Sequence, residues 1–153
     1  MNRTPEGEAL TAVILETFRL NGALLSAGNR LTKPTGMTSA RWQVMGAIDE
    51  HGQPLTVAQI ARRMGLARQG VQRIVNYLED QGLVALKPNL DHKRSPLVMI
   101  SDTGQAVMTE ITEAQAAWVN ELGDGLSERR IRDALSLMVT IRERTEETND
   151  EGD

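Results

Sequence analysis

The chain has 153 residues, 40% of them hydrophobic and 25% charged, which suits one ordinary soluble domain with helices extending from it. It has no cysteine and two histidines, which excludes disulfides, thiolate nucleophiles and thiol redox sensing and leaves zinc without its usual ligands, so no metal or cofactor is expected. The net charge of −4 conceals a gradient: Thr56 to Arg94 holds seven positive residues (Arg62, Arg63, Arg68, Arg73, Lys87, Lys93, Arg94) against Glu79, Asp80 and Asp91, a net +4 that leaves −8 elsewhere.

Positive charge gathered on one module is what contact with a polyanion needs, although a solvated face gives the same pattern. With two Trp, one Tyr and one Phe, the core must be built from Leu, Ile, Val, Met and Ala, which favours helix packed on helix. The N-terminus, M-N-R-T-P-E-G-E, lacks the apolar stretch of a secretory signal. No run is read as reaching the ~18–20 apolar residues that cross a bilayer. A cytoplasmic protein is expected.

The first helix is predicted from about Glu6 to about Leu31, with Leu10, Val13, Ile14, Leu20, Leu24 and Leu25 on its buried side. Pro34 and Gly36 break the chain between Thr32 and Met37. Thr38 caps a second helix that ends near His51, where Gly52 and Pro54 stop it, and Met37 can staple to Trp42. Thr56 and Gln59 have capping-box spacing at the head of a third helix, whose inner face is Ile60, Ala61 and Met64. Gly65 makes a turn, and a fourth helix follows over Ala67–Gln81. Short helix, glycine turn, longer helix is a helix-turn-helix.

The fourth helix sorts its residues by chemistry. Val71, Ile74, Val75 and Leu78 recur three and four apart toward a core, which leaves Arg68, Gln69, Gln72, Arg73 and Asn76 facing outward. Arginine can grip guanine O6 and N7, and glutamine adenine N6 and N7, in the major groove. Gln69, Gln72 and Arg73 are assigned to bases and Arg68 to phosphate or base, because the first turns of such a helix enter the groove. Gly70 allows close approach of backbone to DNA, or is merely tolerated near a helix end.

Beyond Gly82 the periodicity becomes strand-like. Leu83–Lys87 and Leu97–Ile100 are predicted strands around a charged loop, Pro88–Ser95, and a hairpin this small must lean on the helices. Lys93 and Arg94 at its tip are assigned to phosphate or the minor groove. Thr56 has a hydroxyl for phosphate, though capping alone accounts for it, and Arg41 and Arg62 are weaker phosphate candidates. Ser101 caps a fifth helix to about Leu122, striped by Val107, Ile111, Ala114, Trp118 and Leu122. Gly123 and Gly125 break it, and a sixth helix runs from Leu126–Ser127 to about Arg144. The acidic residues 146–153 are expected to be disordered.

The resulting architecture is mainly α with a small β-hairpin wing: a winged helix-turn-helix over residues 38–100. Residues 1–37 and 101–145 are flanking helices. The first, fifth and sixth helices carry more apolar surface than so small a core can cover, so a two-fold homodimer paired through them is expected. The alternative is packing on the core of one subunit.

The run G82-L-V-A-L-K-P-N-L-D-H-K-R-S-P-L-V-M-I-S-D-T-G104 resembles the wing of MarR-family regulators, with its Gly-Leu-Val, Pro, Asp-x-Arg loop and Leu-Thr-x-x-Gly. L55-T-V-A-Q-I-A-R-R-M-G-L-A-R-Q-G-V-Q-R-I-V-N-Y-L-E79 resembles the same family's helix-turn-helix. The similarity covers residues 38–104 in motif and the flanks in layout. It implies a dimer that binds an operator, in most members as a repressor, often with a small-molecule pocket between the DNA-binding and dimer parts. Phe18, Trp42, Met45 and Trp118 are candidate liners for an apolar or aromatic effector, or else core, the more frequent role of Met and Trp at helical spacing. Three positions depart from the family pattern. His92 stands where the wing has Asp, with Asp91 one residue early and still able to brace Arg94; Leu86 stands where Arg is common; Ala67 replaces a capping Ser.

Rival functions are weaker. No Gly-rich phosphate loop, zinc-ligand spacing or nucleophile with a matched base suggests an enzyme. A protein-binding winged helix would not need Arg and Gln clustered on one helix. A sequence-indifferent architectural DNA protein is the third reading.

Overall fold

A computed structural model describes residues 2–150. In chain order these form α1 (Pro5–Thr32), a 3-10 turn (Lys33–Thr35), α2 (Ser39–His51), β1 (Leu55–Thr56), α3 (Val57–Met64), α4 (Arg68–Asp80), β2 (Val84–Lys87), β3 (Leu97–Ile100), α5 (Asp102–Gly123) and α6 (Glu128–Asp150). The chain divides within α5 into two compact units, one ending at Gln115 and the other beginning at Ala116.

Local chemistry sets the helix starts in the first unit. Thr4, Thr38 and Thr56 each accept a backbone N–H three residues on, from Gly7 (3.1 Å), Arg41 (3.3 Å) and Gln59 (3.2 Å). At α3 the box closes, because the Thr56 N–H donates to Gln59 Oε1 at 2.8 Å. Gly65 ends α3 at φ 61, the left-handed conformation that a tight turn into α4 requires.

The core of this unit joins Val44, Met45 and Ile48 of α2, Leu55, Ile60 of α3, Val71, Val75 and Leu78 of α4, Val98 of β3, and Met108 and Ile111 of α5. Its small residues are as specific as its large ones. A Cβ on Gly104 would collide with the Leu83 carbonyl, and one on Gly28 would lie 2.6 Å from Ser39 Oγ. Ser101 fastens the same junction: its N–H donates to Leu83 O (3.1 Å), its hydroxyl donates to Gly82 O (2.6 Å) and accepts from Gly104 N (3.0 Å). The Ser-x-x-Gly at the head of α5 therefore ties that helix to the turn between α4 and β2.

Several expectations require correction. The hairpin is not alone: β3 pairs antiparallel with β2 (Val84↔Ile100 through Lys87↔Leu97) and with β1 (Leu55↔Val98, Thr56↔Leu97), giving the order β1-β3-β2. Two residues carry no alternation to read, so β1 was legible only as a helix cap. The predicted buried side of α1 is exposed at Leu10, Ile14, Leu20, Leu24 and Leu25, and burial is confined to Ala27, Gly28 and Thr32. A 28-residue helix is about 42 Å long, more than the small core beside it can cover. By length and composition alone, α1 with its following turn is also apolar enough to cross a bilayer, contrary to the sequence reading.

In α5 the expected stripe holds at Ile111 and Val107, whereas Ala114 and Leu122 are exposed. In the second unit, α6 does not stop near Arg144 but continues through Asp150. Arg142 reaches Glu146 at 2.8 Å one turn on, and the Thr145 hydroxyl bonds the Ile141 carbonyl, so the acidic segment is carried as helix. The rest of the predicted tail, residues 151–153, lies outside the described residues.

Candidate nucleic-acid interface

The third and fourth helices place their polar residues as the periodicity requires. Val71, Val75 and Leu78 are fully buried, while Arg68, Gln69, Gln72, Arg73 and Asn76 are exposed. Among the described residues no ion pair involves Arg68, Arg73, Lys93 or Arg94. Gln72 Nε2 donates to Asn76 Oδ1 at 2.8 Å. That bond uses one of the two amide hydrogens and steadies the side chain, leaving the other N–H and Oε1 for a base edge. Ala67 caps α4 without a side-chain hydrogen bond, as its methyl side chain dictates, so the Arg68 and Gln69 N–H groups are left for an anion while the Gly70 N–H turns back to the Ala67 carbonyl at 3.0 Å.

A cleft brings the two halves of the motif together. It is lined by Thr56 and Ala58 at the head of α3, Arg68 and Gln72 of α4, and Leu86, Arg94, Ser95 and Pro96 of the wing. Arg68 and Arg94, one from each half, thus share one recess. Thr56 lies in its wall at 9% exposure, its oxygen accepting the α3 cap bond and its hydroxyl hydrogen left to donate. Arg62 is exposed on the last turn of α3. Arg41 stacks on the Tyr77 ring, 3.5 Å from its centroid, and Arg63 Nη2 meets His51 Nδ1 at 2.9 Å, so these two cations are engaged within the chain.

Asp91 was within reach of Arg94 on the sequence, and no such pair is present among the described residues. The brace is Asn89. Its side chain is buried, Nδ2 donates to the Ser95 carbonyl across the loop (2.9 Å) and Oδ1 accepts from the Asp91 N–H (3.1 Å). The second bond is an Asx turn, and Asn following Pro88 in a charged loop was the available signal. Ser95 N–H closes the tip onto the His92 carbonyl at 2.9 Å. His92 and Asp91 themselves are exposed, as are Lys93 and Arg94.

The four effector candidates do not form one group. Met45 is fully buried in the core, Trp42 packs against that core, and Phe18 projects from α1 at 70% exposure. Trp118 lies on the second unit's part of α5, half-buried. A second cleft of the first unit, of about 220 Å³, is lined by Ile48, Asp49, Pro54, Met99, Ile100 and Gln105 among others, and includes none of the four. Among the described residues no group of three His, Asp or Glu is placed to hold a metal ion.

Two antiparallel pairings around β3, a capped α3, a glycine turn and an α4 with a polar outer face define a winged helix-turn-helix. A family model described as MarR family matches residues 35–95, and the chain belongs to that family. It is 36% identical over 135 residues to an uncharacterized protein of Mycobacterium tuberculosis, covering 86% of this chain and 93% of the relative. It is 22% identical over 146 residues to the transcriptional activatory protein BadR of Rhodopseudomonas palustris, covering 94% of this chain and 83% of that one. The structure of CouR from Rhodococcus jostii RHA1, bound to p-coumaroyl-CoA, superposes with a TM-score of 0.75 at 20% identity, over 84% of this chain and 90% of that chain.

Proposed function

We propose that the protein is a cytoplasmic, homodimeric transcriptional regulator that binds a near-palindromic operator and acts as a repressor. The observation that carries this is the shared recess of Arg68 and Arg94 beside the exposed Gln69, Gln72 and Arg73. Gln69, Gln72 and Arg73 read bases in the major groove, with Arg68 on phosphate or base. Lys93 and Arg94 hold phosphate or the minor groove, and Thr56 and Arg62 add phosphate contacts. Dimerisation is supported by exposed Leu10, Ile14, Phe18 and Leu24 on α1 and by Ile131, Leu135 and Met138 on α6, which water alone would otherwise cover.

Release by a small apolar or aromatic molecule is the second part of the reading, supported by the aromatic acyl group of the p-coumaroyl-CoA bound to CouR. Such a molecule would meet Phe18 or Trp42 in the first unit or Trp118 in the second, with Met45 behind Trp42 as core. BadR's name points to the opposite sign of regulation, which a reporter fused to the recovered operator decides.

Selection of bound sequences from a random duplex pool tests the core of the proposal. The expected product is a near-palindrome with half-sites roughly 34–36 Å apart, or a multiple of that, and an affinity that falls steeply with salt. A pool that yields no enriched sequence would replace the operator-specific reading with an architectural one. Salt-insensitive capture of a protein in place of DNA would favour an interaction module.

A further inference from the structure

We propose that Leu90 is an apolar wedge with which the wing enters the minor groove of the bound duplex. The proposal rests on the DNA-binding reading above. Leu90 is 94% exposed, well beyond any other large apolar residue described, and it stands in a loop whose other tip residues are Asp91, His92, Lys93 and Arg94. It covers nothing in its own chain. It is nonetheless held in place, because the residues on either side belong to one braced turn. Asn89 is buried, bonded forward to the Asp91 N–H and across the loop to the Ser95 carbonyl.

A fixed apolar tip beside unpaired cations suits a groove with phosphate walls and an apolar floor of sugars and base faces. Leucine is among the side chains that wedge between base steps from the minor groove and unstack them. The wing lies beside α4, since Arg94 and Leu86 share a recess with Arg68 and Gln72. With α4 in the major groove, the wing tip falls to the groove next to it. A protein surface would be the alternative destination of an exposed leucine, but Lys93 and Arg94, exposed in the same loop, outnumber its one carboxylate, Asp91.

The test uses the full chain and its selected operator, with 2-aminopurine placed at steps beneath the wing. The parent should raise the probe's fluorescence as the step unstacks. Leu90→Ala should bind about tenfold more weakly at every salt concentration, as loss of a buried leucine implies, with the salt slope unchanged and the fluorescence rise gone. Leu90→Met should recover both. Lys93→Ala should flatten the salt slope and keep the fluorescence rise. Equal binding by Leu90→Ala, a loss with no change at the probe, or a loss of dimer in place of DNA affinity would each overturn the wedge. A parent that binds no duplex would remove the proposed function as well, whereas a parent that binds while Leu90→Ala matches it removes the wedge alone. The substitution disturbs no core contact, so misfolding does not confuse the result.

Discussion

The recognition face and the terminal helices use charge and apolar surface in opposite ways. On α4 and the wing, Val71, Val75, Leu78 and Val98 are fully buried, and Arg68, Arg73, Lys93 and Arg94 have no ion-pair partner among the described residues. On α1 and α6 the reverse holds. Arg19, Arg132 and Arg142 are matched with Glu16, Glu128 and Glu146 within one turn, while Leu15, Phe18, Leu135 and Leu137 remain exposed. The first region has buried its core-facing apolar residues, with Leu90 at the wing tip standing apart, and left its cations for an external anion. The second pairs three of its arginines locally and leaves its apolar residues for another apolar surface. One chain therefore carries two surfaces of different chemical appetite, and salt should act on them in opposite directions.

The largest effect should come from the scaffold beneath the recognition face. Gly104→Ala drives a methyl into the Leu83 carbonyl, a backbone atom with little room to yield, and should cost about 3 kcal/mol, the upper range for overpacking. Urea unfolding followed by circular dichroism measures it, and a variant as stable as the parent would show that the α4–β2 turn is not held as described. Arg73→Ala should leave stability unchanged and weaken operator binding by about 1–3 kcal/mol while relaxing one base position. A gel-shift series over single-base operator variants checks both, and undiminished affinity would remove Arg73 from the contact.

Ala67→Ser should add the missing α4 cap and raise stability by about 0.5–2 kcal/mol, read as a higher urea midpoint. If the free N–H groups there serve a phosphate, the same change should weaken DNA binding, which separates folding from function at one position. Smallest of all, Arg142→Ala should cost at most about 0.5 kcal/mol because its pairs are solvent-exposed. A thermal shift of several degrees would mean that α6 charges do more than balance one another.

What could be read in the sequence follows from how local each determinant is. Thr56 with Gln59, Gly65, and the three-and-four spacing from Val71 to Leu78 are encoded within a few residues, so α3, the turn and α4 emerged with their polar face assigned correctly. β1 depends on a partner some forty residues away, Leu55 on Val98, and no two-residue segment announces that. The wing brace was missed because ion-pair spacing pointed to Asp91 and Arg94 as able to meet, whereas burial, invisible in the sequence, selects Asn89. The α1 stripe lies exposed on the single chain: apolar periodicity identifies a side that wants cover without saying whether the same chain or, as expected here, a second copy supplies it. The role of Gly104 could be matched to a pattern but explained only once the Leu83 carbonyl stood beside it.

β3 lies between β1, which leads into α3, and β2, which leaves α4. A slip of one residue along this strand would turn Val98 out of the core and dislodge the Thr56 end of α3 together with the wing. The head of α3 and the base of the wing are consequently a single casting, so under the proposed function any adjustment to operators of differing geometry should swing them as one piece.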